Sequence, residues 1–179
     1  MKSETVPMTQ DEMTALMAVV DEKLYWKALF TFAKTTGRRL GEIYAVKVRD
    51  IDFDKGLAMT DLEKARKFKR VETIITPDCL VVLKRYIRES GLKADDYLFR
   101  AKSYRQIQAR IKSFAKKAGI THNVTFHNFR HYFITELVRK GWAYDQIRKL
   151  TGHTNINIIM QYDHVVASDL KDKAIKDIK

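Results

Sequence analysis

Apolar residues recur along this chain at two spacings, and the change from one to the other marks out its elements. Thr9 and Glu12, three apart, fit a capping box, and a helix is predicted from there to about Val20. Residues 24–35 are apolar and aromatic with Lys27 and Lys34 interspersed, which predicts a buried second helix ending near Gly37. A third helix starts near Arg39, with Ile43 and Val46 on one face. Between Val48 and Thr76 the period shortens: Ile51 and Phe53 alternate with acidic residues, Asp54-Lys55-Gly56 reads as a turn, and Val71, Thr73 and Ile75 alternate again. This is the strand-rich region. Residues 63–70 between its arms hold five basic side chains in eight, so a charged hairpin is predicted there.

Helical spacing then returns. Thr76-Pro77 opens a helix with proline at its first position, running to about Ser90-Gly91. In residues 103–118, Ile107, Ile111, Phe114 and Ala118 form a stripe, with Arg105, Arg110, Lys112, Lys116 and Lys117 away from it. That basic face is either solvated or turned toward phosphates. Three further helices are predicted over residues 126–140, 144–150 and 155–162, separated by Gly141 and Gly152. A last one, over residues 168–179, carries Leu170, Ala174 and Ile178 every fourth residue. The pattern predicts a mainly helical α+β domain with a small antiparallel β-sheet: a lead-in at 1–8, the domain at 9–165, and a helical tail at 166–179.

Composition adds a partner and removes several classes. Among 179 residues, 34 Lys and Arg face 22 Asp and Glu, a net charge of +12, with a pI near 9.7, which favours a polyanionic partner without proving one. One cysteine, Cys79, excludes an intrachain disulfide framework and a thiol cluster for zinc, and a reducing, intracellular setting is the simplest reading. Residues 1–9 lack the pattern of a secretory signal, and no stretch approaches the ~18 apolar residues of a membrane span. A soluble, cytoplasmic protein without membrane association is expected.

Four segments carry candidate chemistry. Metal-free phosphodiester transfer needs cations around the nonbridging oxygens, an acid for the leaving alkoxide and an in-line nucleophile. Residues 36–42, Thr-Gly-Arg-Arg-Leu-Gly-Glu, place a guanidinium where one helix ends and another begins. His127 and Arg130, three apart, share a helical face, so imidazole and guanidinium can converge on one small group. His127 and His131, four apart, have the spacing of a metal pair but lack a third ligand at a recognised spacing. Thr151-Gly152-His153 precedes a helix, and Tyr162 follows His153 by nine residues.

The order and spacing of these segments resemble the tyrosine recombinase, or phage integrase, family from about Thr9 to Val165. The family's Thr-Gly-x-Arg-x-Gly/Ser-Glu stretch matches Arg39 rather than Arg38. Its His-x-Leu-Arg-His box matches His127 and Arg130, with Phe129 for Leu. Its Leu-Gly-His box and the Tyr nine residues on match His153 and Tyr162, with Thr151 for Leu. The family's hairpin lysine falls among Lys64, Lys67 and Lys69. Counting back from Ile74-Ile75 favours Lys67, with Lys64 next.

The resemblance implies a site-specific recombinase or integrase catalytic domain that cuts and rejoins DNA through a 3′-phosphotyrosyl link on Tyr162, without cofactor, ATP or metal. Arg39 and Arg130 would clamp the nonbridging oxygens and Lys67 would protonate the leaving oxygen. His127 would take the tyrosine proton or steady the phosphate, and His153 would donate to a nonbridging oxygen. Double-stranded DNA is the implied partner, with Lys64, Lys69, Arg105, Arg110 and Lys117 as candidate contacts and a tetramer on paired sites as the assembly. The tail at 166–179 would dock in cis or on a neighbouring protomer. A non-catalytic DNA-binding relative and a type IB topoisomerase-like relaxation activity are the alternative readings.

Overall fold

The computed structural model describes residues 7–21, 23–62, 70–153 and 155–163. The first helix, α1 (Gln10–Val19), starts at the predicted box: the Thr9 hydroxyl accepts from the Glu12 N–H at 3.1 Å, and the Glu12 carboxylate accepts from the Thr9 N–H at 2.9 Å. Helix α2 (Leu24–Thr36) buries Ala28, Leu29, Phe30, Phe32 and Ala33, as its apolar sequence requires, and packs between α4 (Pro77–Ser90) and α6 (His127–Arg139). Phe30 meets Phe129 of α6 at a ring-centroid distance of 4.8 Å. Helix α3 (Leu40–Tyr44) follows directly on α2, and α5 (Tyr104–Lys117) buries Ile107, Ile111, Phe114 and Ala115 while Arg105, Arg110 and Lys117 are exposed.

A sheet of three antiparallel strands, β1 (Ile51–Asp52), β2 (Leu57–Asp61) and β3 (Arg70–Ile74), lies in the order β1-β2-β3. The outer arms are those predicted, although Phe53 belongs to the turn. The middle strand is not apparent from alternation, because its buried positions are the small Ala58 and polar Thr60, while Leu57 and Met59 face the more open side. Arg70 begins β3, pairing with Asp50 at 2.6 Å; the rest of the predicted hairpin tip, 63–69, lies outside the described residues, as does the predicted tail helix.

Helices α6, α7 (Tyr144–Thr151) and α8 (Asn157–Met160) enclose a second, smaller core of Ile134, Ile147, Ile159 and the ring of Tyr162. Here α8 is one turn long, shorter than the eight residues predicted, and Tyr162 sits just past it with its N–H donating to the Ile159 carbonyl at 3.0 Å. The Asn155 side chain takes the Asn157 N–H at 2.9 Å, satisfying the backbone in a turn that competes with helix.

The join between α2 and α3 is the tightest point near the site. Gly37 ends α2 at φ +62°, and a Cβ there would lie 2.4 Å from the Phe133 ring. Both the left-handed backbone and the missing side chain are therefore required. Gly37→Ala is expected to lower stability by about 2–4 kcal/mol in urea unfolding. A loss under about 1 kcal/mol would show that Phe133 can move aside.

Candidate active site

Arg130 is the centre of the site. It lies on the buried side of α6, 2% exposed, and its guanidinium spans two turns of backbone from other elements. Nη1 donates to the Gly37 carbonyl and Nη2 to the Thr151 carbonyl, each at 2.7 Å. The α2–α3 junction, the end of α7 and the first turns of α6 thus meet on one side chain. Nη2 also lies 3.1 Å from His153 Nε2. The Thr151 hydroxyl donates its one proton to the Ile147 carbonyl at 2.7 Å, so at 2.6 Å from His153 Nδ1 it can only accept. That assigns the proton of neutral His153 to Nδ1 and leaves Nε2 to accept from Arg130.

Arg39 sits at the start of α3. Its N–H and Nη1 both donate to the carboxylate of buried Glu42, at 3.0 and 2.9 Å. Arg38, beside it, is 1% exposed and donates from Nε to the Thr73 hydroxyl on β3 at 2.9 Å. A cavity of about 310 Å³ is lined by Arg38, Arg39, Gly41, Tyr104, His127 and Arg130. Three arginines thus border one small cavity, close enough for their charges to act on one another, with the Glu42 carboxylate nearby, an excess of positive charge suited to an anion. Burial, reinforced by Arg39, pulls Arg130 down to about 10, which still leaves it charged at neutral pH.

Tyr162 approaches from the smaller core. Its hydroxyl is hydrogen-bonded to His131 Nδ1, and the His131 ring meets that of His127, one helical turn back, edge to face at 4.8 Å. Burial pushes the Tyr162 phenol up to about 12, with Arg130 pulling the other way, so the phenol is protonated at rest. Tyr144 donates to Asp163 at 2.6 Å, fixing the backbone next to Tyr162 against α7.

Both imidazoles of this inner shell are held neutral. Burial, then the charges of His127 and Arg130, lowers His131 to about 4, and burial, then Arg130 and Arg39, lowers His153 to about 3. In the unfolded chain each titrates near 6.5. Below that value the unfolded state binds protons that the folded state refuses. Stability is therefore complete above about pH 6.5 and falls as the pH drops toward the folded values of about 4 and 3. Between pH 7 and 4.5 the expected loss is on the order of 2 kcal/mol after solvent screening of these partly exposed rings, read from urea midpoints. A double His131→Gln, His153→Gln variant should show a flatter profile, and an unchanged slope would assign the acid sensitivity to other groups.

The structure gathers Arg39, His127, Arg130, His153 and Tyr162 from four separate segments, while Lys64, Lys67 and Lys69 lie outside the described residues. Arg105 and Arg110 share the exposed face of the helix whose first residue, Tyr104, borders the cavity. Two side chains acquire a place that motif reading did not give them. His131 touches the Tyr162 hydroxyl, and its position one turn from His127 was the available signal. Arg38 lines the cavity although the motif selects its neighbour. Among the described residues, no group of three or more His, Cys, Asp or Glu side chains is arranged around a common metal position, and no helix is long and apolar enough to cross a membrane. A larger cleft of about 1060 Å³, lined by Lys47, Arg49, Arg70, Tyr97 and Arg100 together with Asp50 and Asp61, contains none of Arg39, His127, Arg130, His153 and Tyr162.

Comparison with known proteins places these features in a family. The profile of the Phage integrase family matches residues 7–168. The chain is 31% identical to the tyrosine recombinase XerC of Xanthomonas axonopodis pv. citri over 144 residues, covering 78% of this chain and 46% of that protein. It is 30% identical to the tyrosine recombinase XerA of Saccharolobus solfataricus over 150 residues, covering 84% of this chain and 49% of that protein. The chain thus spans about half the length of these curated relatives. Among solved structures, a XerA recombinase superposes with a TM-score of 0.83 at 25% identity, covering 99% of this chain and 65% of that one. The catalytic domain of bacteriophage HP1 integrase superposes at 0.71 with 18% identity, covering 97% and 95%, a likeness of fold. Matched along most of its length by the family's profile and sharing this fold, the chain belongs to the phage integrase family of tyrosine recombinases.

Proposed function

We propose that this chain is the catalytic domain of a site-specific DNA recombinase, cutting and rejoining strands through a covalent bond between Tyr162 and a 3′-phosphate. The observation that carries this reading is the convergence on Arg130 of two other motif segments, Gly37, with Arg39 two residues on, and Thr151, with His153, while Tyr162 lies close enough to feel the Arg130 charge. A polyanion is the partner for which a cavity with excess guanidinium charge is suited.

In the proposed step the Tyr162 phenolic oxygen attacks phosphorus in line with the 5′ oxygen. The tyrosyl O–P bond forms as the P–O5′ bond breaks. The phenol proton passes to a neighbouring imidazole, and the 5′ oxygen takes a proton from Lys67, whose role rests on its sequence position between β2 and β3. Arg39 and Arg130 stabilise the charge on the nonbridging oxygens as phosphorus becomes five-coordinate. His127, exposed at the cavity, donates to the phosphate or takes the phenol proton. His153 holds Arg130 while neutral and donates to the phosphate once the anion favours its imidazolium. One phosphodiester-type bond replaces another, so the step needs neither ATP nor a metal ion. Attack by a 5′-hydroxyl from a second strand reverses it and exchanges partners.

The relatives include a XerH site-specific recombinase solved bound to a difH substrate in a post-cleavage complex, which supports duplex DNA as the substrate here. Recombination by this chemistry pairs two sites, and we infer four protomers working together. The direct test is a nicked suicide DNA duplex incubated with the protein in chelator and run on a denaturing gel. A covalent protein–DNA adduct is expected. Tight binding of cognate DNA with no adduct would move the reading to a DNA-binding relative without catalysis.

A further inference from the structure

Arg38 is the largest buried polar side chain that the proposed mechanism leaves unused. Burying a guanidinium is costly unless its donors are met, and here they are met incompletely. Nε donates to Thr73 at 2.9 Å, and Thr73 in turn shares a hydrogen bond of 2.7 Å with Thr60 across the strand pair, so Arg38 is locked to both β2 and β3. Nη1, by contrast, is buried with no hydrogen-bond partner among the described residues. Arg38 also lines the cavity of about 310 Å³ that Arg39, His127 and Arg130 line, and its charge is close enough to act on Arg39 and Arg130. An apolar residue would fill this position without leaving donors unmet, and a surface role does not fit a side chain that is 1% exposed.

We propose that Arg38 is a third guanidinium of the phosphate site, anchored by Thr73 and completing its hydrogen bonds on the scissile phosphate when DNA enters the cavity. The proposal rests on the recombinase reading above and extends it to a residue that the family motif passes over. Glu42 attracts Arg38 while Arg39 and Arg130 repel it, and an arriving phosphate relieves the repulsion among these guanidinium groups. Because Thr73 lies on the strand that follows the lysine-rich segment, the same contact sets the hairpin strands against the bound phosphate.

The test uses nicked suicide DNA carrying either the ordinary scissile phosphate or a methylphosphonate, in which a methyl replaces one nonbridging oxygen and removes the charge. Arg38→Met is expected to form adduct on the order of 100-fold more slowly than wild type on the charged DNA, and within about threefold of wild type on the uncharged DNA, where one guanidinium fewer is needed. Equal loss on both substrates would mean that Arg38 only supports the fold, and no loss on the charged DNA would also overturn the proposal. Where Arg38→Met does not fold, Arg38→Lys carries the test, with about a tenfold loss on charged DNA and less than threefold on uncharged. Inorganic phosphate gives a second readout on the DNA-free chain. It should raise the Tm of wild type more than that of the Arg38 variants, which keep Arg39 and Arg130; an equal rise in both overturns the proposal even if neither cuts the uncharged DNA. If wild type itself forms no adduct on charged DNA, the recombinase reading fails, while the phosphate measurement still decides whether Arg38 binds the anion.

Discussion

Tyr162→Phe is expected to bind DNA as wild type does and to form no covalent product, a loss of more than about 10⁴-fold in adduct formation. In the proposed step the substitution removes the one atom that would bond to phosphorus, so no neighbouring group could substitute for it in part. Little else should change. The ring packs against Ile134, Ile147 and Ile159, and phenylalanine preserves that packing. What is lost is the hydrogen bond to His131, whose ring nitrogen then has no hydroxyl opposite it, a cost of about 1 kcal/mol and a fall of a few degrees in Tm. The measurements are a denaturing gel with suicide DNA and a binding isotherm with intact DNA. Covalent product from this variant would refute the nucleophile assignment.

Arg130→Ala is expected to fail twice over, in stability and in chemistry. Two buried carbonyls, those of Gly37 and Thr151, lose their donors at once, and His153 loses the guanidinium against which its Nε2 rests. Stranding such groups costs about 1–3 kcal/mol each, so urea unfolding should show a loss of about 3–5 kcal/mol. The α2–α3 junction and the end of α7 would separate, and Arg39 with them. Adduct formation should therefore fall by more than the ~10² of a single lost oxyanion donor. Arg130→Lys separates the two effects. It keeps the charge but cannot span both carbonyls, so it should retain part of the phosphate affinity while remaining unstable. An Arg130→Ala chain as stable as wild type would show that the two carbonyl bonds contribute nothing net.

These expectations draw on two kinds of information. The helix starts and stops were legible because their signals are local. Thr9 and Glu12 satisfy each other three residues apart, Pro77 stands where an N–H is not needed, and Gly37, Gly91 and Gly152 each take the left-handed backbone that ends a helix. Such contacts are settled within one turn, whatever the rest of the chain does. The strand β2 was not legible, because its inward positions, Ala58 and Thr60, are small or polar, and their burial depends on what covers them. The length of α8 was overestimated for a related reason: the Asn155 side chain offers its backbone a non-helical alternative that apolar spacing does not register.

The same division holds at the site. The identities and spacings of Arg39, His127, Arg130, His153 and Tyr162 are properties of the sequence, and it was their resemblance as a set to the tyrosine recombinase motifs that pointed to phosphate chemistry. Which neighbours those residues touch was decided by the tertiary structure alone. Arg38 and Arg39 are adjacent and alike in sequence, yet one is buried against Thr73 of β3 and the other pairs with Glu42 at the mouth of α3. His131 gains its part from a tyrosine that follows α8, and Arg130 from two carbonyls on segments remote from its own helix. Hydrogen bonds between distant segments depend on how helices and strands pack, and periodicity along one element carries no record of what lies opposite it.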